Sequence, residues 1–353
     1  MNYFDPLLLT ILVAILPQWI VFYKQLESDS NQETKMPLGD RMKWYEAQQK
    51  RTVMPYLPLV IRIDGKKFSR YCEQLPKPFN MPFAESMARM ATDILVLSNL
   101  SPSAVYVESD EVSIVFAPRC TKLQYETEND PKMNKFTHPF GGRLSKLETV
   151  IASFAAVRFV FHMNQLVRSV PNYESIYAKF MKNLDNPLVS FDARSLVFPE
   201  GKEYEVVNHM FWRSNYDCYR NAVSHYAYTM FSNNDLEHND TKERINRMKV
   251  EKGFDFNKVE EYVKYGTYIK RGKLETDCNG VKTTRSKPIA KAFAMKWSDA
   301  MYKLLVASYW DSDLESQTGI TFYNASIIDS YTSVLNTTDE NESTNPEDSE
   351  TQQ

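Results

Sequence analysis

The chain has 353 residues, 43% hydrophobic and 25% charged, the balance of a globular protein with one large core or two smaller ones. A formal charge of −3 argues against a nucleic-acid binder until its placement is read: six acids and no Lys or Arg follow Asn336, so residues 1–335 hold 42 basic and 39 acidic side chains. Four widely spaced cysteines (Cys72, Cys120, Cys218, Cys278) form no CxxC, which disfavours a zinc site or a disulfide framework and fits an intracellular compartment.

In chain order, Pro6 to Tyr23 is an apolar run just long enough to span a bilayer, interrupted at Pro17-Gln18. Lys24, Lys35, Arg41 and Lys43 follow it, so the positive-inside rule would keep the rest of the chain cytosolic. The run lacks the basic n-region of a secretory signal and the Arg-rich amphipathicity of a mitochondrial presequence. It is therefore expected to be a single membrane anchor or a buried apolar arm, and the protein cytoplasmic or mitochondrial. Residues 25–40 read as a polar linker. Leu57 to Ile63 then reads as a strand ending in Asp64-Gly65, followed by the basic pair Lys66-Lys67. Pro82 to Ser98 has a helical apolar period with Pro82 suited to the first turn. Ala104–Val107 and Val112–Phe116 read as a hairpin with Glu108-Ser109-Asp110-Glu111 at its tip.

A polar surface insertion is expected from Cys120 to Pro139, a helix opening at Arg143-Leu144-Ser145-Lys146, and a short strand after Phe191-Asp192-Ala193-Arg194. Glu203 to Phe231 reads as helix, Asn257 to Val263 as a short helix, and Tyr268-Ile269-Lys270 as a closing strand. The Ser-, Thr-, Asn- and Glu-rich tail buries too little apolar area to order itself. The expected organisation is 1–40 apolar segment and linker, 41–200 catalytic palm, 201–330 mainly helical part, and 331–353 disordered tail. The fold class is α/β, a ferredoxin-like palm with a mainly helical second half.

Two strand-end carboxylates brought together can hold a pair of Mg²⁺ ions that clamp the attacking and leaving oxygens of a phosphoryl displacement. Lys66, Lys67 and the turn amides after Gly65 would face a triphosphate. Nucleotidyl transfer is the chemistry these types suggest. A palm-fold nucleotide cyclase would use the same pair, and a tethered RNA-binding protein without catalysis would need neither.

Arg62-Ile63-Asp64-Gly65-Lys66-Lys67-Phe68, Lys77-Pro78, Ser109-Asp110-Glu111, Arg143-Leu144-Ser145-Lys146, Phe191-Asp192-Ala193-Arg194, Trp212-Arg213, Asp217-Cys218-Tyr219-Arg220-Asn221-Ala222 and Lys264-Tyr265-Gly266-Thr267 resemble, in order, the motifs of the tRNA-His guanylyltransferase family. The resemblance covers roughly residues 50 to 270 and implies a nucleotidyltransferase acting on tRNA with ATP, GTP and other NTPs. ATP activates a 5′-monophosphate, and the 3′-hydroxyl of a second nucleotide then attacks it. It implies Asp64, Asp110 and the Gly65 carbonyl as ligands of two Mg²⁺ ions, and Asp64, Asp110 and Glu111 as the catalytic carboxylates. Asp64, Gly65, Lys66, Lys67, Phe68, Ser69, Ser109 and Asp110 would contact the nucleotide. Arg143, Lys146, Arg220 and Asn221 would contact RNA or phosphate, and a homotetramer is implied. The guanylyltransferases proper carry His-Ile-Asn-Asn where this chain has Tyr219-Arg220-Asn221-Ala222. That form is similar to the template-dependent 3′-to-5′ polymerase branch, with untemplated guanylyl addition to histidine tRNA as the alternative. Tyr219 could stack on RNA there, or pack in the core.

Overall fold

The computed structural model describes residues 36–77, 79–128, 135–278 and 281–320, so the apolar run, Pro78 and the acidic tail lie outside the described residues. The chain divides into two units, residues 1–51 and 52–353. In the first, helix α1 (Leu38–Gln48) has no buried residue.

The second unit is built on a sheet whose first four strands are β1 (Leu59–Gly65), β2 (Ala104–Glu108), β3 (Glu111–Phe116) and β4 (Phe191–Val197). Helix α2 (Met81–Leu97) connects β1 to β2, and helix α3 (Leu144–Ser169) lies between β3 and β4. Strand order β4-β1-β3-β2 with antiparallel pairing throughout is a complete βαββαβ ferredoxin-like layer, where the sequence offered only its first half.

β2 and β3 are buried along their whole length, which is why they read as continuous apolar runs. On one face Leu59, Ile61, Ile63, Val105, Ile114 and Phe116 pack against α2 and α3. α2 starts where expected because the Asn80 side chain accepts the Phe83 amide at 3.0 Å and Pro82 occupies its first turn. α3 buries Leu147, Ile151, Ala155, Phe159 and Met163, one residue per turn. Among the described residues α3 is the one helix long and apolar enough to cross a membrane; its packing makes it a core helix.

On the other face Val60, Ala104, Tyr106 and Val115 pack against helix α4 (Glu205–Phe211) and against Met301, Leu304 and Leu305 of a later helix, Asp299–Val306. α5 (Tyr219–Met230) continues α4 through a π-helical turn, Trp212–Cys218, so the single helix expected over Glu203 to Phe231 carries a widened turn at its centre. The segment expected as a short helix after Asn257 is a 3₁₀ turn (Phe256–Lys258) and a helix (Glu261–Tyr265). The closing strand proves far longer than Tyr268–Lys270. β5 (Thr267–Cys278) pairs β2 only through Thr267–Ile269 and otherwise forms a hairpin with β6 (Val281–Lys291). Charged residues along β5 hide its alternation. One of them, Lys270, is buried, its ammonium donating to the Ser103 and Ala307 carbonyls at 2.8 and 2.7 Å.

Candidate active site

The antiparallel register fixes which acids share a face. Asp64 pairs with Glu111 on one side and Asp192 on the other, and Glu111 pairs with Glu108. Directly opposed residues point the same way, so Asp192, Asp64, Glu111 and Glu108 form a row of four carboxylates across one end of the sheet. Asp110 joins from the two-residue hairpin turn, where Ser109 holds φ at 45°. The turn is drawn to β1 because the Gly65 amide donates to the Asp110 carbonyl at 3.1 Å. Burial pushes the Asp110 carboxyl above its ordinary range, and the negative charge of Asp64 raises it further. That mutual repulsion is what a bound cation would relieve.

Gly65 is needed for contact rather than backbone freedom. A Cβ there would meet the Phe68 ring at 2.4 Å. Phe68 is 2% exposed and packs among Tyr71, Phe83, Phe159 and Phe191. Its ring therefore belongs to the core, and only its backbone can face a nucleotide. The Lys66 amide donates to the Ser190 carbonyl at 2.9 Å. Of the turn amides after Gly65 that were expected to face phosphate, that of Lys66 is thus already bonded. The amides that begin the short helix Phe68–Tyr71 have no intrahelical acceptor. Lys66, Lys67 and Ser69 are exposed beside them.

Glu111 does not stand with the open pair. Its carboxylate contacts Arg213 and lies 3.4 Å from Arg62. Arg213 also reaches Glu108 at 3.0 Å and Asp217 at 2.7 Å. Burial raises Glu108 to about 8 and Glu111 to about 7, although Arg213 pulls both down. The same burial would lower the guanidinium, but its three carboxylate neighbours outweigh that and raise it. Arg213 and Glu108 carry this arrangement and were not among the expected site residues; the Trp212-Arg213 motif was the available signal. The π turn brings them together across roughly a hundred residues of sequence.

A cavity of about 280 Å³ opens beside the hairpin tip. Ser109, Glu108, Lys77, Asn80, Asn221 and His225 supply its polar lining, and Phe83, Met87 and Val107 lie among its apolar walls. Cys72 also lines it, its thiol pushed up to about 12 by burial and then by Asp110. Of the expected RNA contacts, Asn221 faces this cavity. Arg220 is exposed and pairs with Asp217. Tyr219 is stacked on Tyr265 and edge-on to Phe256, so packing takes the ring that stacking on RNA would need.

Arg143 and Lys146 are not gathered with Asp64. Glu148, just beyond them, accepts the Ser195 amide at 3.0 Å, and Ser195 pairs with Ile61. α3 then runs towards Phe159, which meets Phe68 and Phe191 at the Gly65 end. The helix start therefore lies at the opposite end of the sheet. The Lys146 ammonium sits over the Phe140 ring and Arg143 donates to the Phe140 carbonyl.

Among the described residues no three His, Cys, Asp or Glu side chains converge as a metal cluster. The pair Asp64 and Asp110 with the Gly65 carbonyl is a smaller, all-oxygen set. Its hard donors and the repulsion on Asp110 fit a divalent cation that completes its shell with phosphate and water.

A profile of the family described as Thg1, tRNAHis guanylyltransferase, matches residues 39–199. The uncharacterized protein R259 of Acanthamoeba polyphaga mimivirus is 30% identical over 294 residues, covering 83% of this chain and 97% of that protein. A bacterial tRNA(His) guanylyltransferase (Thg1)-like protein in complex with ATP superposes with a TM-score of 0.52 at 26% identity, over 70% of this chain and 92% of its own. A bacterial Thg1-like structure in complex with GTP gives 0.50 at 25% identity, over 72% and 90%. The palm-like fold is common to all of them for which a structure is given. With the open carboxylate pair on that palm, the chain belongs to the tRNAHis guanylyltransferase family of nucleotidyltransferases.

Proposed function

We propose that this protein adds nucleotides in the 3′-to-5′ direction to the 5′ end of a tRNA, and that the opposing template base selects each one. The observation that carries the reading is the juxtaposition of Asp64 and Asp110 at a sheet end, beside a cavity lined by Ser109, Lys77, Asn80 and Asn221. Two Mg²⁺ ions held by Asp64, Asp110 and the Gly65 carbonyl would supply charge neutralisation at the reacting phosphate. Lys66, Lys67, Ser69 and the first amides of the Phe68–Tyr71 helix cradle the triphosphate. The nucleobase enters the cavity, whose apolar walls and few polar groups suit a flat heteroaromatic ring. ATP adenylylates the RNA 5′-monophosphate with release of pyrophosphate, and the 3′-hydroxyl of the incoming nucleotide then attacks that phosphate and displaces AMP. ATP and GTP in the two bacterial relatives support a triphosphate substrate.

Template selection is supported by Tyr219-Arg220-Asn221-Ala222. Tyr219 and Ala222 are committed to packing, so only Arg220 and Asn221 offer polar groups, and pairing geometry becomes the main source of choice. The test is a 5′-truncated, 5′-monophosphorylated tRNA incubated with ATP and each NTP in turn, with all four bases at the template position. Addition of each complement is expected. Guanosine whatever the template base would assign untemplated addition instead, and a cyclic nucleotide made without RNA would assign a cyclase.

A further inference from the structure

The guanidinium of Arg213 has no part in the transfer chemistry proposed above. Among the described residues it is the one cation that touches both stems of the hairpin bearing Asp110. Glu108 ends β2 and Glu111 begins β3, and the two are direct partners flanking Ser109-Asp110. Arg213 contacts both, and Asp217 one turn further along the same helix fixes its other nitrogen. The four side chains are 4% to 12% exposed, so water screens them little. The turn they enclose holds Ser109 at a positive φ that a serine adopts at a cost. The hairpin tip thus combines a strained turn with two adjacent buried carboxyl groups that the guanidinium ties together.

We infer that Arg213 is a positioning residue: by bridging Glu108 and Glu111 it holds the Ser109-Asp110 turn closed and sets the Asp110 carboxylate against Asp64. The inference rests on the two-carboxylate metal site proposed above. Arg62 assists from β1 through Glu111, so Glu111 serves this bridge rather than the cation. Arg213 and Asp217 both lie in the π turn Trp212–Cys218, four residues apart, a spacing that puts two side chains on one face of a helix.

Removing Arg213 alone leaves an excess of buried negative charge, and such a variant can fail simply by unfolding. The decisive variant is therefore Arg213→Met with Glu108→Gln, which restores the balance of the cluster while deleting the bridge. Arg213→Lys keeps the charge but cannot span both stems with a planar fork. Uptake of Mn²⁺ alone by the purified full chain, followed by electron paramagnetic resonance of the free ion, reads the site without requiring turnover. Circular dichroism reports folding.

The double variant is expected to fold, to bind Mn²⁺ at least tenfold more weakly than the wild type, and to need correspondingly more Mg²⁺ for half-maximal transfer. Arg213→Lys should fall between the two. Wild-type Mn²⁺ affinity in the folded double variant would overturn the positioning role and leave Arg213 a charge balancer only. A wild-type chain that takes up no Mn²⁺ would instead refute the metal-site reading on which the inference stands.

Discussion

Gly65→Ala tests how tightly the site is tied to the core. The new methyl would lie 2.4–2.6 Å from three carbons of the Phe68 ring. Carbon atoms pack at about 3.5–4.0 Å, so the ring must retreat by roughly 1 Å. It has nowhere to go: Phe191, Phe159 and Tyr71 have ring centroids 5.1, 5.3 and 5.3 Å away, and the ring is 2% exposed. The cost should fall at the upper end of overpacking, about 3 kcal/mol. At roughly 2–4 °C per kcal/mol for a domain of this size, Tm should fall by about 6–12 °C. Gly65 also donates to Asp110, so a shift on the order of 1 Å there should lower kcat by ~10²-fold. A cycle with Phe68→Leu, followed by urea unfolding and nucleotide incorporation, isolates the clash. The two changes should couple by more than ~0.5 kcal/mol, the double variant being more stable than the singles predict. Additive effects, or an unchanged Tm in Gly65→Ala, would refute the steric reasoning.

Asp64→Asn and Asp110→Asn should each lower kcat by ~10² or more while the chain stays folded, because a neutral amide supplies less charge at the reacting phosphate. Activity above a tenth of wild type in both, by labelled-nucleotide incorporation, would rule out the pair. His138 is 1% exposed, contacts the Leu57 carbonyl through Nε2 at 3.0 Å, and is lowered to about 4 by burial. Between pH 6.5 and 4 the unfolded chain binds this proton and the folded chain resists it. Stability from His138 is therefore present above pH 6.5 and lost on acidification, by up to about 3 kcal/mol. Glu108 and Glu111, both raised, run the opposite way, so the comparison is wild type against His138→Gln in urea at pH 7.5 and 4.5. The variant should gain on the wild type as pH falls; a constant difference would contradict the shift.

Much of the palm was legible because its signals are local. β1 is an apolar run closed by Asp64-Gly65, α2 carries its own cap and proline, and the hairpin shows acids between two apolar runs. The open carboxylate pair was legible for the same reason. What sequence could not give is reach. Phe68 looked like a phosphate-loop residue, yet the gap left by Gly65 draws its ring into the core. Glu111 was expected among the catalytic carboxylates, and its ion pair with a guanidinium from a distant helix has no local signal. Arg143 and Lys146 begin α3 as expected, but only the contact of Glu148 with Ser195 shows that this beginning lies away from Asp64. β5 and β6 were underestimated because charged residues break the period of two that reveals a strand.

The most direct test of the central claim is the first chemical step. A 5′-³²P-labelled, monophosphorylated tRNA is mixed with ATP and Mg²⁺ in the absence of any nucleotide to be added, using the wild type and Asp110→Asn. Wild type should convert the labelled end to a phosphatase-resistant adenylylated form, and Asp110→Asn should not. An unmodified 5′ end with wild-type protein, or equal adenylylation by the variant, would contradict it.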